Sequence, residues 1–421
     1  MILEELELQN YRCFESLIVR FDRQLNVFVG PNGAGKSTIL DAIAVGLSPI
    51  VEQLDFEPDE EDDDDGERGG SPAGLRSERA LRLRQGDVRQ TGPDLQASYA
   101  GLRVRAKFPW VNGATTWYLS RSRAPQVSFD GQSLFPREDF PVPITGNYLS
   151  QLQAVIAQPI QAHQFQRDYV LPVFAVYGTN RAVNLPHNRM GPASIPGAFR
   201  RLAAVEGALR SNGNFRWAVR WFDALTAREA RERDAGLRHG PLPQAEAVRL
   251  AIERVLPEIS QPRIDPILGR FVVNLQDPAG HMIQLFLDQL SDGYQVVLGL
   301  VMDFALRLGI ANPVGSAEEI LAQSALLVID EVDLHLHPAW QQRVIPDMLR
   351  AFPQTQFILT THSPHVLSTV DAASIRALHR VDGQMQVRIP QFQTKGVVSA
   401  DVLAEIMGVD PVPNVPEAQW L

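Results

Sequence analysis

Apolar and polar positions alternate over residues 2–29 in three stretches, LEELELQNYRCF, LIVRF and LNVFVG, which predicts three short strands. A glycine-rich turn follows, and the apolar spacing then changes to a helical one through Leu40, Ile43 and Leu47. Residues 55–95 show no sustained period and read as a long solvated, flexible loop. Two β-like stretches, ASYAGLRVRAKF (97–108) and TTWYLSR, joined through Asn112-Gly113, predict an antiparallel pair. From Asn147 to about Glu258 the pattern is mainly helical, interrupted by the strand-like YVLPVFAVYG and a Pro/Gly-rich stretch at 186–197. After Ile264 strands return in FVVNL and MIQLFL, and a polar loop, LSDGYQ, opens a helix. ALLVID, another helix, QFILTTH and an α/β tail complete the chain, with no internal repeat.

A chain of 421 residues with 45% hydrophobic content is long enough for one large α/β domain with insertions, or for two or three domains. Cys13 is the sole cysteine, which excludes an intrachain disulfide and a cysteine-based zinc site. No leader pattern or run of eighteen apolar residues is present, so the expectation is a cytoplasmic protein without a membrane partner. The net charge of -10 argues against a generally basic nucleic-acid binder, yet Asp59–Asp65 is an unbroken run of acids that supplies most of it. The chain prefers arginine, and its only lysines are Lys36, Lys107 and Lys395.

One of those lysines falls in Gly30-Pro-Asn-Gly-Ala-Gly-Lys-Ser37, which fits GxxxxGK[ST] in full between an apolar strand and a helix. Glycines at 30, 33 and 35 let backbone N–H groups approach phosphates, and the helix start adds partial positive charge. Lys36 reaches β/γ oxygens and Ser37 can ligate Mg²⁺, whereas an ordinary glycine-rich turn leaves the Lys-Ser pair unexplained. ALLVIDEVDLHLHP (325–338) is an apolar strand ending in paired acids. Asp330 stands where a P-loop fold puts its Mg²⁺-organising carboxylate, and Glu331 can orient or deprotonate water. A metal cluster of His335, His337 and the acids lacks HExxH spacing. QFILTTHSP ends another buried strand and brings His362 to the same sheet edge, within reach of a γ-phosphate or its attacking water.

The order P-loop, Ser-x-Gly loop, Asp-Glu strand and His strand resembles an ABC-type ATPase head of the SMC, RecF and OLD branch. NYRCF, GPNGAGKSTILDAIA, LSDGYQ, LLVIDEVDLHLHPAWQQ and FILTTHSPHVLS carry the resemblance. YGTNR (177–181) and VLAEIMGVDPVP are similar to the stand-alone Septu and retron-associated defence ATPases. The resemblance implies an α/β fold: a P-loop ABC-type ATPase head (1–146 and 259–421) with an N-terminal antiparallel β lobe and a mainly helical insertion (147–258), the acidic loop 55–95 lying within the head. It implies ATP and Mg²⁺ as cofactors. Gly30, Asn32, Gly33, Gly35, Lys36, Ser37 and Thr38 then hold nucleotide, Ser37 and Asp330 hold the metal, Glu331 and His362 are catalytic, and Asp333 belongs to the D-loop. Arg12 reaches the nucleotide or is an exposed structural arginine. Gln85, with Gln90 nearby, is the metal-binding Q-loop candidate. Ser291 and Gly293 form the signature that meets ATP on a partner's P-loop, which implies a head-to-tail homodimer. Asp292 and Tyr294 depart from the commoner LSGGQ, and an acid near an anion is expected to point away.

Only 59 residues follow His362, too few for a nuclease domain of ~100 residues. Nuclease activity is therefore expected in a separate polypeptide, of HNH type by family resemblance, with this chain as its ATP-gated regulator in anti-phage defence. The alternative is a RecF- or SMC-like repair ATPase that clamps DNA; a transporter head is the third reading. Within Gly197–Glu258 only short helices are expected, interrupted by Gly213, Gly236, Gly240, Pro241 and Pro243. Arg200, Arg201, Arg210, Arg216 and Arg220 with Trp217 and Trp221 offer either a nucleic-acid or partner surface, or a solvated face whose aromatics pack inward.

Overall fold

The computed structural model describes residues 1–54, 81–91, 97, 99–122, 148–165, 167–179, 201–209, 215–265, 267–277, 279–313, 315–381, 383–410 and 412. The acid run 59–65, most of the loop expected at 55–95, Arg200, Arg210 and the second half of YGTNR lie outside them.

From the N-terminus, β1 (Ile2–Tyr11), β2 (Phe14–Arg20) and β3 (Leu25–Val29) lead to helix α1 (Lys36–Leu54). β4 (Tyr99–Lys107), β5 (Ala114–Ser122), α2 (Ser150–Gln164) and β6 (Val173–Tyr177) follow, then α3 (Phe215–Asp234) and α4 (Pro243–Val255). β7 (Ile259–Ile264), β8 (Phe271–Gln276) and β9 (Met282–Phe286) precede α5 (Asp292–Ala311). The chain continues through α6 (Ala317–Leu321), β10 (Ala325–Ile329), α7 (Pro338–Gln341), α8 (Val344–Ala351), β11 (Thr355–Thr360) and α9 (Pro364–Leu367). β12 (Ile375–Val381), β13 (Gln384–Arg388) and α10 (Ser399–Glu405) come last.

These strands form three sheets: β2-β1-β4-β5, β13-β12-β3-β11-β10-β6 and β7-β8-β9. β3, β6, β10 and β11 are buried at every position, as parallel strands covered on both faces must be, and β3, β11, β10 and β6 are all parallel. The first sheet is antiparallel and one-sided. Its inner face sets Leu6, Leu8, Leu102 and Val104 into the core. Its outer face pairs Arg103 with Glu5 (2.9 Å) and Glu7 (2.6 Å) across the strands. Helix α1 lies so close beneath it that a methyl on Gly46 would stand 2.7 Å from Val104 Cγ2, and Trp117 Nε1 donates to the Gly46 carbonyl at 2.7 Å.

The buried side chain of Gln356 on β11 joins the two larger sheets. Its Oε1 accepts from Leu3 N at 2.7 Å, and its Nε2 donates to Leu3 O and Asp22 O, each at 2.8 Å. Within the 147–258 segment, β6 is an edge strand of the six-stranded sheet, with Tyr177 opposite Ile329. That strand is part of the head sheet and not of a separable helical unit. Its helices are also longer than the sequence suggested: α3 runs unbroken for 20 residues, with Gly236 just beyond its end. Both α3 and α4 pack on α5, where Gly299 admits the Phe215 ring and Gly309 admits Gln244. α1 and α5 are each long and apolar enough to cross a membrane, but both are largely buried inside the protein, as core helices are.

Candidate nucleotide site

The P-loop begins where β3 ends. Gly35 has φ 96°, and a Cβ there would lie 2.4 Å from Phe14 Cζ and 2.9 Å from Cys13 Sγ, so only glycine fits beneath the β1–β2 turn. Gly30 and Gly33 also have positive φ. Asn32 and Gly33 are exposed at the loop tip, Ser37 is exposed at the start of α1, and Thr38 is half-buried. Thr38 hydrogen-bonds the Cys13 thiol, whose pKa burial pushes up. The buried Lys36 amine folds back over the loop, donating to Gly30 O at 2.8 Å and Pro31 O at 3.1 Å. Burial lowers its pKa, opposed by the charges of Asp330, Glu331 and Asp333.

Those three acids follow β10, and a pair of threonines at the end of β11 holds them. Thr360 Oγ1 donates to Asp330 Oδ1 and accepts from Glu331 N, both at 2.6 Å. Glu331 has φ 49°, a left-handed conformation rare for a non-glycine residue, and this bond ties it in place. Thr361 Oγ1 donates to Asp333 Oδ1 at 2.5 Å, and His362 N donates to the same oxygen at 3.4 Å. Asp330 N in turn donates to Tyr177 O on β6 at 2.8 Å. The P-loop, Asp330, Glu331, Asp333 and His362 therefore share one edge of the sheet, the carboxyl ends of neighbouring strands β3, β11 and β10. Nothing in the sequence spacing pointed to the threonines, because their role depends on the register of β11 beside β10.

Arg12 and Gln85 come together beside α1. Arg12, at φ 48°, donates through Nε to Asp87 Oδ1 at 2.8 Å and through Nη1 to Asp41 Oδ2 at 2.5 Å, and its N–H bonds Asp87 O. Its guanidinium thus bridges α1 to the Gln85–Asp87 turn. Gln85 is exposed on that turn.

The Ser-x-Gly loop stands elsewhere. Ser291 is the exposed N-cap residue of α5, its side chain making no capping bond. Asp292 is exposed in the first turn, where the helix dipole favours a carboxylate, so the acid departing from the commoner signature suits the helix start. Gly293 is pressed against the loop after β10: a Cβ there would stand 2.8 Å from His335 O. Tyr294 packs edge-on against Trp340 at 4.2 Å. Asn312 bonds Leu171 at the start of β6, whereas Asp303 bonds Tyr177 at its end, so α5 runs antiparallel to β6. Ser291 lies twelve residues before Asp303, which carries the helix start ~18 Å along its axis toward and beyond the strands' carboxyl edge. Three strand spacings, ~14 Å, separate β6 from β3. The loop is thus on the same edge as the P-loop but well to one side of it.

Of the described members of the insertion's arginine and tryptophan cluster, Arg201, Trp217 and Trp221 are turned inward, whereas Arg216 and Arg220 are exposed. Arg201 donates to Ala311 O and Tyr169 O, each at 2.6 Å, Trp221 is buried, and Trp217 stacks under Arg307 at 4.8 Å.

Residues 193–368 match a family described as "AAA domain, putative AbiEii toxin, Type IV TA system", and residues 5–66 match a second AAA-domain family. The retron Ec83 probable ATPase of Escherichia coli is 27% identical over 99% of this chain and 77% of that protein. The retron Vc95 probable ATPase of Vibrio cholerae is 36% identical over 42% of this chain, and the Septu protein PtuA of Bacillus thuringiensis is 33% identical over 30%. In each of these two, the match spans 33% of the relative's length. Among solved structures, the SMC head bound to the C-terminal winged-helix domain of ScpA superposes with a TM-score of 0.51 at 16% identity, covering 92% of this chain and 98% of that one. The chain thus has the fold of an SMC head and is similar over nearly its whole length to a retron probable ATPase.

Proposed function

We propose that the chain binds ATP with Mg²⁺ on its P-loop and hydrolyses it in a head-to-tail homodimer, and that this cycle controls a separate nuclease of HNH type in anti-phage defence. The observation that carries the dimer is the separation of Ser291 from its own P-loop, on a shared sheet edge and across three strand spacings. A helix N-terminus with a small exposed hydroxyl suits a phosphate, and the phosphate it can reach belongs to a second copy.

The residues present fit the nucleotide and its metal. Lys36 exchanges two backbone carbonyls for β/γ oxygens, Ser37 offers a free-standing hydroxyl at the helix start, and Asp330 keeps Oδ2 clear of the Thr360 bond on Oδ1. Ser37 and Asp330 would hold a magnesium ion, which would supply neutralisation of the phosphate charge. Glu331, fixed by Thr360, orients and deprotonates the attacking water; His362 hydrogen-bonds the γ-phosphate, and Asp333 holds that histidine's backbone. Arg12 and Gln85, on the turn beside α1, would meet the nucleotide from the β-lobe side, with Gln85 as a further residue that would hold the metal. The homology to retron and Septu ATPases supports the defence role. The DNA-clamping alternative finds no stacking platform in Trp217 and Trp221, which are turned inward, and is left with Arg216 and Arg220 exposed.

Mixing two inactive variants tests the composite site. Lys36→Ala removes the charge that meets the phosphates, and Ser291→Arg sets a bulky cation at the signature. Each alone is expected to lose ATPase activity, whereas subunit exchange creates one site with both loops intact and restores a fraction of it. No recovery in heterodimers verified by differential tags refutes the head-to-tail reading.

A further inference from the structure

Behind the site, a buried polar cluster joins the elements that the nucleotide cycle uses. Asp303 and Arg307 lie one turn apart on α5 and are both almost fully buried, as an acid and a guanidinium rarely are. Arg307 Nε donates to Asp303 Oδ2 at 2.8 Å, and the Tyr177 hydroxyl donates a short hydrogen bond to the same oxygen. Arg307 Nη1 also donates to Ala204 O at 2.7 Å and Glu206 O at 2.8 Å, and its guanidinium lies 4.8 Å over the Trp217 ring. Burial, reinforced by the Asp303 charge, holds the Tyr177 hydroxyl well above the usual phenol range, so it stays a donor. Tyr177 has a second attachment, since its carbonyl accepts from Asp330 N at 2.8 Å.

A purely packed α5–β6 contact would need none of these polar groups, and apolar residues of similar volume serve helix–sheet packing as well. What this cluster adds is direction: a hydrogen-bond fork fixes rotation and axial position of a helix, whereas apolar packing tolerates sliding. We infer that Tyr177, Asp303 and Arg307 are positioning residues that lock the signature helix to the Walker B strand, so that Ser291 is held at a fixed place relative to Asp330. This deepens the composite-site reading and rests on it for its catalytic consequence. The link runs from Asp330 through the Tyr177 backbone and hydroxyl to Asp303, and then along a rigid helix to the loop presented to the second copy.

Tyr177→Phe removes one oxygen and keeps the ring. In the full chain it is expected to leave ATP affinity of the P-loop within twofold of the parent, lower kcat at least tenfold, and raise amide exchange over 292–299 at least fivefold with α1 unchanged. Asp303→Asn is expected to behave alike, and the double variant to be no worse than either single one, as members of one network are. Ile310→Val, a buried change on the same helix outside the cluster, controls for loss of stability: it lowers Tm without touching kcat or exchange at 292–299. Exchange over 292–299 unchanged in Tyr177→Phe, kcat within twofold of the parent while the Lys36→Ala and Ser291→Arg mixture recovers activity, or additive losses in the double variant each overturn the assignment. Raised exchange together with failed recovery in the Lys36→Ala and Ser291→Arg mixture instead removes the composite site and leaves the positioning role standing.

Discussion

Thr360 is the residue on which the candidate site's hydrogen bonds converge, although its place within FILTTHSPHVLS gave no sign of that role. One hydroxyl orients Asp330, the acid proposed to hold the metal, and fixes the strained backbone of Glu331 beside it. Thr360→Val preserves shape, yet strands the Glu331 N–H and frees Asp330 to rotate. We expect turnover to fall at least tenfold with nucleotide affinity within a few-fold, and stability to drop by about 1–3 kcal/mol for the buried donor left unpaired. Steady-state kinetics together with a urea titration check both. Parent-like turnover in a folded Thr360→Val protein contradicts the role given to that hydroxyl. Lys36, by contrast, was legible from sequence, because a lysine between a glycine loop and a helix in an arginine-rich chain has little other use.

At the scale of elements, α5 matters through both its ends and its middle. Its start is fixed against the loop after β10, where Gly293 leaves no room for a side chain: the neighbour is the backbone carbonyl of His335, itself at φ 63°. Gly293→Ala therefore forces either the helix start or the 331–337 loop to move, at a cost of about 1–3 kcal/mol. The expected outcome is unchanged ATP binding with turnover reduced more than tenfold; full activity combined with an unshifted melting curve would show that the signature tolerates displacement. The glycine in LSDGYQ was expected from the sequence to face a ligand, whereas its packing against His335 depends on the loop opposite.

For the whole molecule, the β lobe is tied to the head sheet by buried polar groups as well as by apolar packing. Gln356 bonds Leu3 twice and Asp22 once, across more than 330 positions in sequence. Gln356→Leu keeps the volume but strands three backbone groups, at about 1–3 kcal/mol for each that finds no water. We expect the urea midpoint to fall while the folded fraction still binds ATP. A midpoint equal to the parent's would mean the lobes are held by apolar contact alone. Arg12 works at the same boundary on the open side, tying the β1–β2 turn to Asp41 of α1 and to Asp87. Of the two readings of Arg12, its hydrogen bonds show the structural one.

The sequence alone determined the parts whose signal is local. The P-loop between strand and helix, the apolar runs of β3, β10 and β11 ending in polar residues, and the antiparallel pair around Asn112-Gly113 are set by neighbours a few positions apart. β7 escaped notice because ISQPRI carries a proline and a bulge, which hide its alternation. Tertiary structure decided what depends on contacts between distant segments. Whether YVLPVFAVYG belonged to an insertion or to the head turned on its pairing with β10, which only the folded sheet reveals. The same holds for the threonine clamp, for the inward turn of Trp217 and Trp221, and for the cluster in which Tyr177 meets Asp303 and Arg307 from more than a hundred residues away. Periodicity fixes which face of an element is apolar; it carries no information about which polar side chain on another element will complete a buried hydrogen bond.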